Sequence, residues 1–302
     1  MKHDKFYQVK INGRWGFIDQ SGTLVIDARY EDVRGFSEGL AGIQINGRWG
    51  FIDNVGNIKI DPQFAGIGQF NEGLAAVKYY NKWGFINKFC DFIINADYDC
   101  VGCFYKGLAP VSKKDRYGII NRKGELIIGL IYGDMGDFHE DLVVFEDNGL
   151  YGFLDIEGNP VIEARFEDVR DFSENLAAVK DAGRWGFVNG EGKIEIPAKY
   201  DAARDFHDGF ASIGQGDRYG YIDSHGEIII APSYAYTWQF SEGLAMVALS
   251  RKCGYIDHSG ELIIPYLYTS AFDFKGGVAR VTFDNSIGYI NKRAEYIWKP
   301  TK

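Results

Sequence analysis

Gly39-Leu40-Ala41-Gly42-Ile43-Gln44-Ile45, then Asn46-Gly47-Arg48, then Trp49-Gly50-Phe51-Ile52-Asp53, then Asn54-Val55-Gly56-Asn57 and Ile58-Lys59-Ile60: this stretch is three apolar or alternating runs separated by two turn signals. Asn-Gly between alternating runs marks a two-residue hairpin, whose turn needs positive φ at both positions. The stretch therefore predicts a three-stranded antiparallel meander. In its central run Trp49, Phe51 and Asp53 point one way and Gly50 and Ile52 the other, so both faces carry apolar groups and both must be covered.

The unit recurs along the whole chain. Trp15-Gly16, Trp49-Gly50, Trp83-Gly84, Tyr117-Gly118, Tyr151-Gly152, Trp185-Gly186, Tyr219-Gly220, Cys253-Gly254 and Ile287-Gly288 follow one another at a constant 34 residues without insertion. This periodicity predicts one array of nine repeats over residues 1–302 in place of the two domains that length alone suggests. Connectors such as Asp61-Pro62-Gln63-Phe64 to Phe70-Asn71-Glu72-Gly73 are too short and too marked by Gly and Pro for crossover helices. Stacking each meander on its neighbours covers both faces, so the expected architecture is an all-β open superhelix, or solenoid, with a closed propeller-like ring as the alternative. Nine copies of only 34 residues make closure awkward. A column of isoleucines (Ile26, Ile60, Ile94, Ile128, Ile162, Ile196, Ile230, Ile264) becomes Trp298 in the last copy, which is expected to cap the array.

Composition agrees with a turn-dense β protein. The 302 residues are 46% apolar and 16% aromatic, with 38 glycines against seven prolines, which excludes disorder and disfavours helices. Lys+Arg 33 against Asp+Glu 42 gives −9 without a basic block, so nucleic acid is not an expected partner. No apolar run has the length of a signal peptide or a membrane span, so the sequence as it stands is expected to be cytoplasmic and not inserted in a membrane; a removed export signal would leave the same sequence. Cys90, Cys100, Cys103 and Cys253 are too few for a disulfide framework in a chain of this size.

The motif Trp49-Gly50-Phe51-Ile52-Asp53 with Phe36-Ser37-Glu38-Gly39-Leu40-Ala41, recurring as Trp15-Gly16-Phe17-Ile18-Asp19, resembles the bacterial WG-repeat (KWG) family over residues 7 to 300. The resemblance implies a β-rich binding or structural array, in some members linked to bacterial surfaces or to immunity against toxins, with no catalytic residues to carry over. Cys253 and Ile287 depart from the pattern at the Trp position.

Several columns invite a chemical reading. Asp19, Asp53, Asp155, Asp223 and Asp257 form a carboxylate ladder, but Asn87, Asn121, Asn189 and Asn291 occupy the same column, so an Asx side chain bonding the following turn explains the position better than charge does. The aromatic columns at Trp15 and onward, and in the connectors (Tyr30, Phe64, Tyr98 and Phe36, Phe70, Phe104 among them), are expected in the core. Cys100-x2-Cys103 lacks the second half of a zinc site, and no cofactor or metal is expected. A cation precedes the Trp position in Arg14, Arg48, Arg116, Arg184 and Arg218, and in Lys82 and Lys252: a solvated turn, or a ladder for an acidic partner.

The connector column Arg34, Gly68, Gly102, Gly136, Arg170, Arg204, Trp238, Phe272 varies, and repeat scaffolds place recognition where residues are free to change. Trp238 and Phe272 with Tyr236 and the arginines Arg34, Arg170 and Arg204 are therefore the candidate binding residues, the competing reading being that the aromatics replace the weakened Trp column in the core. The expected function is a non-catalytic protein-binding scaffold, an immunity-type or other bacterial interaction protein. A carbohydrate or surface-polymer binder is the alternative, and an enzyme with a groove site the third.

Overall fold

The computed structural model describes residues 6–301, with side chains to residue 299. Among the described residues every regular element is a strand, and the strands form nine small antiparallel sheets in chain order. The first sheet holds Tyr7–Ile11, Arg14–Ile18 and Leu24–Tyr30. Each later sheet has four sequential strands, here a to d, as in sheet 2: Asp32–Ser37, Leu40–Ile45, Arg48–Asp53 and Ile58–Phe64. The chain divides into two compact units: one runs up to Phe138 and includes Phe145–Asn148 and Ile156–Asn159; the other has His139–Val144, Gly149–Asp155 and the chain from Pro160.

Two expectations need correction. The meander has a fourth strand, because the second half of the connector pairs with the strand that follows it (Asp32 with Gln44, Val33 with Ile43). Within each unit, moreover, successive sheets are arranged as β-propeller blades, the alternative considered, and not as turns of an open solenoid. The fourth strand explains the difference. Strand a of sheet 3 packs against strands a, b and c of sheet 2, and strand a of sheet 8 does the same on sheet 7, so at these joints the connector is the wedge on which one blade sits against the next.

Local sequence builds the blade turn by turn. The b–c hairpin of sheet 2 turns on Asn46 (φ 50) and Gly47 (φ 69), as its Asn-Gly sequence requires. The a–b hairpin turns on Glu38 (φ 51) and Gly39 (φ 84), so a glutamate accepts the left-handed conformation that glycine usually takes. Strand d is one of the two edges of each sheet, and six of the seven prolines lie on it (Pro62, Pro160, Pro197, Pro232, Pro265, Pro300). A residue without an N–H interrupts the ladder an added strand would need.

The glycine after each Trp is required by close approach. A Cβ on Gly84 would lie 2.5 Å from the carbonyl oxygen of Ile94 and 2.6 Å from the nitrogen of Ala96, both on strand d, and Gly118 and Gly186 meet the same strand at 2.5 Å. Around this crossing the c–d register shifts twice, between Trp83 and Phe85 and between Phe85 and Ile86.

Blade joints repeat three contacts. A strand-c aromatic meets the strand-a aromatic of the next blade at steep ring angles: Phe17–Phe36, Phe51–Phe70, Phe85–Phe104, Phe153–Phe172, Phe187–Phe206, Tyr221–Phe240 and Tyr255–Phe274, all with centroids 4.7 to 5.1 Å apart. Such pairs contribute roughly 0.5–1.5 kcal/mol beyond the area they bury. Ser37, Ser173 and Ser241 donate to the carbonyls of Phe70, Phe206 and Phe274 (2.6, 2.6 and 2.8 Å). Finally, a carboxylate at one a–b tip accepts from an N–H of the next tip: Glu38 from Gly73, Glu72 from Gly107, Glu174 from Gly209, Asp208 from Gly243 and Glu242 from Gly277.

Partial burial opposes ionisation of Glu38, but the hydrogen bond from Lys88, the Gly73 N–H and the Lys88 charge outweigh it and hold the carboxyl below the ordinary glutamate value of 4.5. Glu242 is held low in the same way, with the N–H groups of Gly277 and Gly276 and the Lys292 charge overcoming burial. A group depressed in the folded state stabilises fully above its unfolded pKa and loses that contribution as pH falls through the folded one. The unfolding midpoint is therefore expected to fall as pH drops below about 4.5, with a shallower slope in Glu38→Gln/Glu242→Gln. Gly84→Ala is expected to lower stability by about 1–3 kcal/mol or more, while Gly35→Ala, whose Cβ would meet only the flexible end of Gln69 at 3.3 Å, changes it little; thermal unfolding of the pair checks the close-approach argument.

Candidate functional site

The variable column lies on strand a or, where that strand is only two residues long, as in sheets 4, 6 and 9, directly after it. In sheet 2 the Arg34 guanidinium lies over the Trp49 ring at 4.9 Å, and in sheet 6 that of Arg170 lies over Trp185 at 5.5 Å. Arg170 Nε also donates to the Ala203 carbonyl of the next blade (2.9 Å). Sheet 7 differs: the Arg204 guanidinium reaches forward over Tyr236 (5.3 Å) and Trp238 (4.8 Å), and its Nη2 donates to the Tyr236 hydroxyl (3.2 Å). The Tyr236 and Trp238 rings stack nearly parallel with centroids 6.1 Å apart. Phe272, in sheet 9, is 42% exposed and receives the Arg280 guanidinium at 4.0 Å, while Tyr236 is 37% exposed.

Thus Arg204, Tyr236 and Trp238 form one contiguous group, with Arg170 bonded to the Ala203 carbonyl beside it, and Arg34 belongs to the other unit. Trp238 is half-buried, its place fixed by the Tyr221 hydroxyl, which donates to the Trp238 carbonyl (2.6 Å); the Tyr255 hydroxyl does the same to the Phe272 carbonyl (2.7 Å). Burial raises both phenols well above the ordinary tyrosine value, which favours the protonated, donating form.

The cations before the Trp position lie in exposed b–c hairpins and answer acids of their own blade. Arg14 faces Glu31 (3.7 Å), Arg184 pairs with Asp201, Arg218 lies by Asp217 (3.8 Å), and Arg116 and Arg218 donate to the carbonyls of Ile131 and Ser233 (3.2 and 3.3 Å). Arg48 lines a shallow hollow with Tyr79 and Tyr80. Pairs this exposed contribute little to stability.

The Asx ladder is a set of turn braces. Asp53 Oδ1 accepts from the N–H groups of Val55 (3.1 Å) and Asn57 (2.9 Å), and Asn121 Oδ1 does the same for Lys123 (2.9 Å) and Glu125 (3.1 Å). The two aromatic connector columns are largely buried, Tyr30, Phe64 and Phe70 at 1% exposure. Cys253 stands at the Trp position as a buried thiol hydrogen-bonded to the Tyr268 carbonyl (3.4 Å). All four thiols are unpaired, and among the described residues no group of three or more His, Cys, Asp or Glu is placed to hold a metal ion. No helix of the described residues is long and apolar enough to cross a membrane.

Two further carboxylates lie in the connectors, Asp205 on strand a of sheet 7 and Asp273 just after the two-residue strand a of sheet 9. Burial pushes Asp205 up against the opposing charge of Arg170, and burial likewise pushes up Asp273, which accepts from Gln239 Nε2 (2.7 Å). One oxygen of each is buried without a partner. The sequence signal was faint, a polar column reading Asp171, Asp205, Gln239, Asp273 beside the core phenylalanines.

These features define a repeat protein of bladed β-sheets whose recurring residues are structural and whose variable surface lies on strand a. The WG containing repeat model matches residues 15–49, 49–83, 83–117, 117–151, 151–185, 185–219, 219–253 and 254–285, and the chain belongs to that family. No curated protein matches the sequence. Among solved structures, a eukaryotic initiation factor is similar at 12% identity and TM-score 0.69, covering 98% of this chain and 95% of that one. Dihydro-heme d1 dehydrogenase NirN in complex with DHE is similar at 12% identity and TM-score 0.50, covering 87% and 73%. At such identities the likeness concerns the fold alone.

If the ladder is bracing, Asp53→Asn leaves the unfolding midpoint at pH 7 nearly unchanged, whereas Asp53→Ala costs about 1 kcal/mol by losing both turn bonds; thermal melts of the two variants check it.

Proposed function

We propose that this protein is a non-catalytic binding scaffold of the bacterial interaction or immunity type, and that it holds a protein partner through the strand-a surface of sheets 6 to 9. The Arg204–Tyr236–Trp238 stack carries this reading. Aromatic rings and arginine are the residue types that dominate binding energy at protein interfaces, because they remove large areas from water while keeping a polar end. Here they replace the glycines of sheets 3 to 5 in the one column free of a core role, and Phe272 extends the apolar surface.

Polar groups elsewhere support a scaffold. The ladder carboxylates brace turns, the perturbed tyrosines donate to backbone carbonyls, and the tip carboxylates join blades; each thus has a structural task.

Affinity capture from the native host's lysate tests the proposal, with the intact chain and Trp238→Ala/Phe272→Ala as parallel baits and partners read by mass spectrometry. One stoichiometric protein held by the intact chain and lost from a variant of unchanged melting temperature is the expected result. Equal capture by both baits overturns the assigned surface. A glycan-array hit in place of a protein partner moves the reading to a carbohydrate binder.

A further inference from the structure

The variable column is glycine in sheets 3, 4 and 5, and in sheet 4 the absence of a side chain leaves a cavity. Arg34 and Arg170 each place a guanidinium over the aromatic ring of their own blade's Trp-Gly pair. Sheet 4 keeps the ring, as Tyr117, but has Gly102 where those blades have arginine. The result is a cavity of about 290 Å3 lined by Tyr117, Val101, Pro110 and Met135, with Cys100 and Asp137 also on its wall. Sheet 5 does not close it, because its residue in the same column is Gly136.

The wall chemistry selects one class of occupant. Asp137 Oδ1 accepts the Cys103 N–H (2.8 Å), which fixes the carboxylate beside Gly102 on the cavity wall. None of the lining residues carries positive charge, and the chain as a whole is at −9. A ring face, a carboxylate and apolar flanks together suit a planar cation on an aliphatic stem. The repeat itself uses arginine in this column three times (Arg34, Arg170, Arg204) and lysine never. Arginine's planar fork pairs with a carboxylate while its face lies on a ring, which an ammonium does less well. The volume suits a side chain better than a drug-sized ligand, being at the low end for small-molecule sites.

We propose that the sheet 4 cavity is a recognition site for an arginine side chain of a partner protein, which takes the seat over Tyr117 that the chain's own arginine fills in sheets 2 and 6. This seat shares no residue with the Trp238 surface and stands or falls separately.

The test titrates the full chain with the blocked peptide acetyl-Gly-Arg-Gly-amide and with its citrulline counterpart, followed by NMR shift changes and calorimetry. Citrulline keeps the shape and removes the charge. The expected result is saturable binding of the arginine peptide, at least about tenfold tighter than citrulline, with the largest shifts around Tyr117. Gly102→Arg, whose Cβ would take the place of Asp137 Oδ1 and so displace that carboxylate from the cavity wall, should abolish binding while far-UV dichroism stays unchanged. Asp137→Asn, which removes only charge, should weaken it about tenfold. Trp238→Ala/Phe272→Ala should bind as the intact chain does, which separates this seat from the proposed partner surface. Equal binding of the two peptides, absence of saturable binding, or undiminished binding by both Gly102→Arg and Asp137→Asn overturns the proposal.

Discussion

Where strand d crosses the glycine of each Trp-Gly pair, backbone meets backbone with no room for a methyl group. At Gly84 the added carbon would fall 2.5 Å from the Ile94 carbonyl oxygen, and the same approach recurs at Gly118 and Gly186. Such separations lie well inside van der Waals contact, so the crossing exists only with glycine there. From it follow the c–d register shifts, the inward turn of the Ile column and the course of strand d toward the next strand a. Trp can change to Tyr, Cys or Ile in this motif because a side-chain volume, buried at Trp49, Trp185 and Cys253 and half-buried at Trp15 and Trp83, has several solutions. Glycine has none.

The joints between blades show a second compromise between local cost and longer-range gain. Glu38, Glu72, Glu140, Glu174 and Glu242 all adopt positive φ (50 to 56°), a conformation costing a non-glycine residue roughly 1–2 kcal/mol. Each carboxylate reaches the a–b tip of the next blade, where it satisfies one or two backbone N–H groups. Glycine would turn the chain more cheaply but has no side chain to make that bond, whereas the shorter Asp208, also at positive φ (51°), makes it to Gly243. Lys106 occupies this place in sheet 4, the blade that also lacks the strand-c aromatic (Ile119) and the column arginine. The irregularities of sheet 4 thus coincide, and its cavity lies where three repeated devices lapse together.

Because the core columns are devoted to packing, the chain differs from blade to blade chiefly on strand a. One column there passes from arginine through three glycines back to arginine and then to Trp238 and Phe272. In sheets 2 and 6 its side chain covers the blade's own aromatic; in sheets 7 and 8 it forms an exposed cation–aromatic stack; in sheet 4 it is absent and leaves an acidic-walled hollow. One backbone therefore presents three chemistries, which is the advantage of a repeat for recognition.

The repeat length, the all-β class, the hairpin turns and the bracing role of the Asx ladder were legible in the chain itself, since each depends on interactions within a few residues. Asn-Gly turns, strand alternation and Asn substituting for Asp are local signals. Tertiary structure decided the fourth strand: Asp32–Ser37 is too irregular to announce itself and pairs only once the preceding blade offers a surface for its aromatic. Blade stacking in place of a solenoid follows from that wedge, whose angle no periodicity encodes. The same holds for the sites, because Gly102 becomes informative only when Tyr117, Met135 and Asp137, from 15 to 35 residues away, are seen to enclose the space it leaves. Local hydrogen bonding and sterics wrote the blade into the sequence; contacts between blades, which depend on side chains a full repeat apart, determined everything presented at the surface.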